Sequence, residues 1–305
     1  MYLGAHLGIA DGLATAVHEA RRIGCDSLQI FSKSPQMWSG PALAVPAADE
    51  FRAAVRSDGL RATAVHHGYL ANLGSPKPEM LARSRAAFVD ELRRAELLGV
   101  DALIFHPGAH LGSGVAAGIR TLGESLRGAI AEVPDGRVRI LLENAAGQGT
   151  TLGASFEELA AALDAVDAPD RLGVALDTCH LFAAGFDFRT DTGYGELLDR
   201  LEAGLGRRRV RAFHLNDAKA PVGSHLDRHE NIGRGEIGRA GFAHFVNDPR
   251  WADVPGYLET PLDDRGYARY AEDLATLRSL GPDARPAKPR KAPARRPARH
   301  ASTVK

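Results

Sequence analysis

The sequence predicts a TIM barrel, an α/β fold in which eight parallel strands alternate with helices in a single domain. Two observations predict it. Short apolar runs recur eight times between residues 2 and 259, and each is followed by a stretch whose apolar residues fall at helical spacing. Strand–helix alternation of this kind builds parallel βαβ units, and eight units in about 280 residues is the size of a (β/α)8 barrel. A doubly wound open sheet is the alternative that alternation leaves open. Against it, Gly4-Ala5-His6-Leu7-Gly8 has neither the spacing nor the helix start of a dinucleotide fingerprint, and no phosphate-binding P-loop occurs in the chain.

In order, the first strand is read at 2–7, and a helix follows at 13–23 with Leu13, Ala16, Val17 and Ala20 on one face. The second strand, 27–31, leads to a helix at 47–58 organised on Ala48, Phe51 and Val55. Strand 62–66 precedes helix 80–98, with Phe88, Leu92 and Ala95 in register, and strand 102–106 precedes helix 118–132, with Leu122, Leu126 and Ala129. Strand 139–143 is followed by helix 156–166 on Phe156, Leu159 and Leu163, and strand 173–177 by helix 194–205 on Tyr194, Leu197 and Leu201. The last two units pair strand 211–215 with helix 240–246, and strand 256–259 with helix 267–280. The barrel domain is therefore expected over 1–281.

Composition bounds the function classes. The 305 residues are 44% hydrophobic and 25% charged, ordinary for a globular protein, and the net charge is zero. Cys25 and Cys179 cannot build a disulfide framework, so the expected compartment is the cytoplasm. No signal peptide and no apolar run long enough to span a membrane is read in the chain. The charge is unevenly placed: 282–305 holds eight of the 38 basic residues and one of the 38 acidic ones, leaving a mildly acidic body of 30 bases and 37 acids. That tail, rich in Pro and Ala, is expected to be disordered, either as a phosphate-binding arm or as a solubilising extension.

The residues that end the strands carry the chemistry. The third strand ends in His66, the fourth in His106, the fifth in Glu143, the sixth in Asp177 with His180 just beyond, the seventh in His214 and the eighth in Glu259. All strand C-termini of a parallel barrel meet on one face, so these six ends converge. Carboxylates and imidazoles crowded there would repel one another or lose hydration, and divalent cations resolve both costs. One Asp after a strand is commonly a helix N-cap, which Asp177 alone would fit, but six consecutive strands ending this way exceed what capping explains. In the loop after the seventh strand, Asp227 and His229 stand two apart and face one side of an extended chain, so that with His180 they make a further set of two imidazoles and a carboxylate. Nitrogen and carboxylate donors of this mix suit zinc first, then manganese or iron. A divalent-metal sugar isomerase or epimerase on the same barrel would also use Glu143, Asp177, His214 and Glu259, but leaves His66, His106, His180 and the Asp227/His229 pair without a role.

At these residues the sequence resembles the endonuclease IV family of apurinic/apyrimidinic endonucleases. The matching segments are Tyr69-Leu70-Ala71-Asn72-Leu73-Gly74, Phe105-His106-Pro107-Gly108-Ala109-His110, Leu142-Glu143-Asn144-Ala145-Ala146-Gly147-Gln148-Gly149, Leu176-Asp177-Thr178-Cys179-His180, His214-Leu215-Asn216-Asp217-Ala218-Lys219 and Asp227-Arg228-His229, in order. The resemblance implies three zinc ions per chain: one on His66 and His106 with Glu143 bridging to a second, that second on Asp177, His214 and Glu259, and a third on His180, Asp227 and His229. It further implies Glu143 and Glu259 as catalytic carboxylates, and double-stranded DNA containing abasic sites as partner. The implied cut is 5′ to the lesion, leaving a 3′-hydroxyl and a 5′-deoxyribose phosphate, in base excision repair by a monomer. Tyr69 and Leu70 are candidates to fill the space at the lesion. Gln36 stands where the family often has an arginine in its DNA-inserting loop, and His67-Gly68 where it usually has a more acidic or hydroxyl pair.

Overall fold

The computed structural model describes residues 1–166 and 168–281. The expectation of a disordered basic tail over 282–305 lies outside them. In chain order the elements are β1 (Tyr2–Leu7), α1 (Leu13–Arg22), β2 (Ser27–Ile30), α2 (Val45–Asp58), β3 (Ala62–His66), α3 (Pro78–Leu98), β4 (Ala102–Phe105), α4 (Val115–Ala131), β5 (Arg139–Glu143), α5 (Phe156–Asp164), β6 (Leu172–Asp177), α6 (Thr178–Ala183), α7 (Asp191–Gly204), β7 (Val210–His214), β8 (Asp217–Ala218), β9 (His229–Glu230), α8 (Gly238–Asn247), β10 (Pro255–Leu258) and α9 (Ala268–Ser279). Eight strands close into an all-parallel barrel in the order β1-β10-β7-β6-β5-β4-β3-β2, while β8 and β9 form a separate antiparallel pair. No helix among the described residues is long and apolar enough to cross a membrane.

Side-chain parity explains how the barrel builds its rim. Strand residues alternate between faces, so one set per strand points to the helices and the other into the barrel. The outward set joins the large apolar core under the helices, with Leu3, Ala5 and Leu7 from β1, Leu28 and Ile30 from β2, Ile140 and Leu142 from β5, and Val174 and Leu176 from β6. The inward set forms a separate buried layer of small residues, Ala64, Ala102, Ala175 and Ala212, with Ile104, Leu141 and Tyr257 among them. Two residues further along the same inward columns come His6, Gln29, His66, His106, Glu143, Asp177, His214 and Glu259. Thus all eight columns turn polar at the C-terminal end.

One close approach helps to set the strand spacing. A Cβ on Gly4 would land on the carbonyl oxygen of Ser27, its partner in β2. The Ser27 hydroxyl reaches the Tyr2 and Gly256 carbonyls at 3.2 and 3.3 Å, tying β2 to the strands on its other side of the closure. Overpacking of this kind costs about 1–3 kcal/mol. Gly4→Ala is therefore expected to lower the free energy of unfolding by about that amount, read as a lower urea midpoint, and an unchanged unfolding curve would contradict this reading of the β1–β2 contact.

The structure differs from the sequence expectation mainly at element ends. Strands expected to reach Phe31, His106, Leu215 and Glu259 stop one residue earlier. At β10 the cause is visible: the Glu259 amide donates to the Asn216 side chain at 2.8 Å instead of to a neighbouring strand. Within the expected loops lie two short elements, the one-and-a-half-turn α6 and the β8–β9 hairpin, both too short to leave a periodic signal. The hairpin pairs Ala218 with His229 and so folds the loop back over the rim. Buried Asp217 holds it there, accepting backbone N–H groups from Ala218, Gly233, Gly235, Ile237 and Gly238 at 2.8–3.3 Å.

Candidate metal centre

The nine residues singled out at the strand ends and in the hairpin loop meet on the C-terminal rim. Glu143 is the hub and is buried: its Oε2 lies 3.1 Å from His66 Nε2 and 3.4 Å from His106 Nδ1, and its Oε1 lies 2.8 Å from His214 Nδ1 and 3.4 Å from His180 Nδ1. His214 Nδ1 is also 3.4 Å from Glu259 and 3.9 Å from Asp177. On the other side, Asp227 places one oxygen 3.2 Å from His180 and the other 3.2 Å from His229, and His229 Nε2 is 3.6 Å from Asp177. Donor atoms of His66/His106/Glu143, of Glu143/Asp177/His214/Glu259 and of His180/Asp227/His229 each lie within 4.8 Å of one another. Cys179 also falls within reach of Asp177 and His229, but its thiol is buried and its Sγ faces the Arg228 carbonyl.

Several imidazoles are aimed by a partner on the far ring nitrogen. His66 Nδ1 faces its neighbour's carbonyl at 2.8 Å, His180 Nδ1 that of Asn144 at 2.9 Å, and His229 Nδ1 that of Glu259 at 3.2 Å. A carbonyl only accepts, so Nδ1 carries the proton and Nε2 is left for the cluster. Asp177 shows that the capping and cluster roles coexist. One oxygen caps α6 at the His180 amide (2.9 Å), and the other accepts from Asn216 (2.7 Å) while facing His229. The Asp177 amide donates in turn to the Asn144 side chain at 2.6 Å.

The donor set fits divalent cations. The Nε2 atoms of His180 and His229 are buried and without a hydrogen-bond partner, and they face carboxylates. Charge balance agrees. Burial would lower the pKa of His214 and His229, but Glu259 and Glu143 around the first, and Asp177 and Asp227 around the second, outweigh it and push both up to about 9. His180 is likewise held well above its usual value against burial by Asp177 and Asp227. The carboxylates move the other way: burial notwithstanding, the surrounding imidazoles hold Glu143 and Asp227 well below the ordinary range. Below pH 9 the metal-free cluster therefore holds protons where cations would go, and a cation must displace them. Metal uptake is expected to release protons at pH 7 and to tighten as the pH rises toward 9. Calorimetric titration in buffers of different ionisation enthalpy measures this, and buffer-independent heats would contradict it.

Beside the cluster a pocket of about 330 Å³ opens between Tyr69–Asn72, His106–Ala109, Ala145, Gln148, Thr151, His180 and Asp227. Tyr69, 62% exposed, stands over it with its ring 5.6 Å from Phe31 and 6.3 Å from both His66 and His106. Leu70 is partly exposed alongside. Gln36 is exposed in the neighbouring loop, which the Tyr69 amide joins through the Pro35 carbonyl at 3.3 Å. At Gly68 a Cβ would come within 2.7 Å of that same carbonyl, so the glycine permits the two loops to touch. Asn72 locks the other side, donating to the Ala109 carbonyl at 2.8 Å and accepting from the Gly74 and Ala109 amides.

Sequence reasoning assigned no role to His6, Gln29, Asn144 or Asn216, all of which touch the cluster. The first two had a signal: they share the inward parity of β1 and β2, as polar residues in otherwise apolar runs.

Residues 17–280 match the family model described as a xylose isomerase-like TIM barrel. A probable endonuclease 4 of Chloroflexus aurantiacus is 42% identical over 277 residues, covering 91% of this chain and 97% of that protein. The chain belongs to the endonuclease IV family. A second member, the probable endonuclease 4 of Geobacter sulfurreducens, is 43% identical over 86% of this chain and 89% of its own. The crystal structure of endonuclease IV from Thermus thermophilus superposes with a TM-score of 0.81 at 36% identity, covering 92% of this chain and 98% of that one. A D-tagatose 3-epimerase-like protein shares the fold alone, with a TM-score of 0.69 at 17% identity.

Proposed function

We propose that the chain is a zinc-dependent DNA-repair endonuclease that hydrolyses the phosphodiester bond 5′ to an abasic site in duplex DNA, leaving a 3′-hydroxyl and a 5′-deoxyribose phosphate, and that also trims blocked 3′ ends. One observation carries it: three adjoining donor groups share one rim, joined by Glu143 and Asp177, beside an open pocket. His66, His106 and Glu143 would hold one cation, Glu143, Asp177, His214 and Glu259 a second, and His180, Asp227 and His229 a third. When bound, such cations make water a nucleophile near neutral pH and neutralise charge on phosphate oxygens. Glu143 and Glu259 orient the reacting water from their places on the second group. Membership of an endonuclease family supports DNA as the substrate.

Tyr69, Leu70 and Gln36 are the side chains that would meet the DNA, since all three stand exposed on loops flanking the pocket. A ring that fills the gap left by a missing base contributes through stacking, worth about 1–3 kcal/mol. Tyr69→Ala is expected to raise KM for an abasic duplex about tenfold while kcat stays within about twofold, by steady-state kinetics. An unchanged KM would remove Tyr69 from the DNA surface.

The deciding assay follows nicking of a duplex with one abasic-site analogue, after chelation and after zinc is restored. Nicking that disappears and returns supports the proposal, and inert zinc-loaded protein overturns it. The sugar isomerase reading is tested in the same preparation: it expects one or two cations per chain, whereas the nuclease expects about three.

A further inference from the structure

Six of the eight inward columns end in the residues assigned above to cations, and the other two end in His6 and Gln29. Gln29 is fully buried, and both ends of its amide have polar neighbours. Its Nε2 donates to Glu259 Oε1 at 2.7 Å, and its Oε1 lies 2.9 Å from His214 Nε2. Turning the amide over would place its oxygen against the Glu259 carboxylate oxygen, so the contact with Glu259 fixes this orientation and leaves Oε1 toward His214.

The consequence falls on His214. His66, His180 and His229 are tied through Nδ1 to backbone carbonyls and present Nε2, whereas His214 is reversed and presents Nδ1 to Glu143, Asp177 and Glu259. No backbone carbonyl holds its far nitrogen, so the Gln29 side chain takes that place. An amide oxygen only accepts, and it obliges His214 to keep its proton on Nε2 and leave the Nδ1 lone pair for the cluster. We infer that Gln29 is a positioning residue, which selects the His214 tautomer and at the same time holds Glu259 in place, so that the central donor group is assembled before a cation arrives. The inference rests on the metal-dependent reading above.

Outer partners of metal-bound histidines typically contribute about 10- to 100-fold in metal affinity. In full-length protein loaded with zinc, Gln29→Leu fills the volume with no hydrogen bond, and Gln29→Glu keeps the acceptor for His214 while losing the donor for Glu259. Zinc release to a chelator is expected to gain one fast phase in Gln29→Leu, accelerated about 10- to 100-fold over wild type, and a smaller acceleration in Gln29→Glu. A second readout is the side-chain 15N spectrum of the zinc-loaded protein. Wild type should show one slowly exchanging Nε2–H that is lost in His214→Gln, and Gln29→Leu should lose its slow exchange. Should Gln29→Leu fail to fold, Gln29→Glu takes its place: zinc release as slow as in wild type, or an Nδ1–H tautomer at His214 in the wild-type spectrum, overturns the inference. Wild-type release kinetics in a folded Gln29→Leu overturn it as well. Failure of the metal reading is distinguishable, since wild type would then retain no zinc for either experiment.

Discussion

Glu143→Ala is expected to abolish nicking of an abasic duplex, with the initial rate falling by about 10³-fold or more. The carboxylate belongs to two of the three donor groups, so its removal takes ligands from two cations at once. Cation stabilisation of transition-state charge is worth several kcal/mol, and each 1.4 kcal/mol is about tenfold in rate. The loss should appear in kcat and in bound zinc together, by kinetics and elemental analysis. Folding feels it too. In the metal-free chain Glu143 faces His66, His106, His180 and His214, and removing one side of a buried charge cluster costs about 3–5 kcal/mol. Glu143→Gln separates the two effects, because it keeps the shape without the charge. A Glu143→Gln protein that folds, keeps its zinc and nicks at the wild-type rate would remove Glu143 from the centre of the chemistry.

Asp227→Asn is expected to cost about one zinc per chain and about 10²-fold in kcat, with the other two cations retained. Asp227 is half-exposed and faces only His180 and His229, so the change is confined to the third group. It also separates the two chemistries the barrel supports. An isomerase that uses Glu143, Asp177, His214 and Glu259 would be indifferent to Asp227. Full zinc content with unchanged nicking would disconnect the hairpin loop from the reaction.

The barrel was legible because its strands are short apolar runs between long amphipathic helices, two periods that differ plainly. The strand-end residues were legible for a related reason. A His, Asp or Glu at the end of a short, mostly apolar run, repeated from His66 to Glu259, is a pattern of composition and needs no coordinates. Gln29 and His6 escaped the same reasoning. Each sits within an apolar run and reads singly as a tolerated polar residue, and only the pairing of Gly4 with Ser27 and His6 with Gln29 shows that they share the inward face. Asn144 and Asn216 escaped differently, standing in the matching segments without a role, because a side-chain hydrogen bond across two strand ends, from the Asp177 amide to Asn144 and from Asn216 to the Asp177 carboxylate, leaves no mark on spacing.

The eight barrel strands and the chemical types gathered at six of their ends were thus readable in the chain alone. These follow from periodicity and from the cost of burying charge, which are local properties of a chain. Three further outcomes came from the folded chain: which imidazole nitrogen faces the cluster, that one Asp177 oxygen caps α6 while the other meets His229, and that the β8–β9 hairpin returns Asp227 and His229 to His180. Those outcomes depend on partners far apart in the chain, such as Gln29 with His214 and Glu259, and closing the barrel is what brings them within hydrogen-bonding distance.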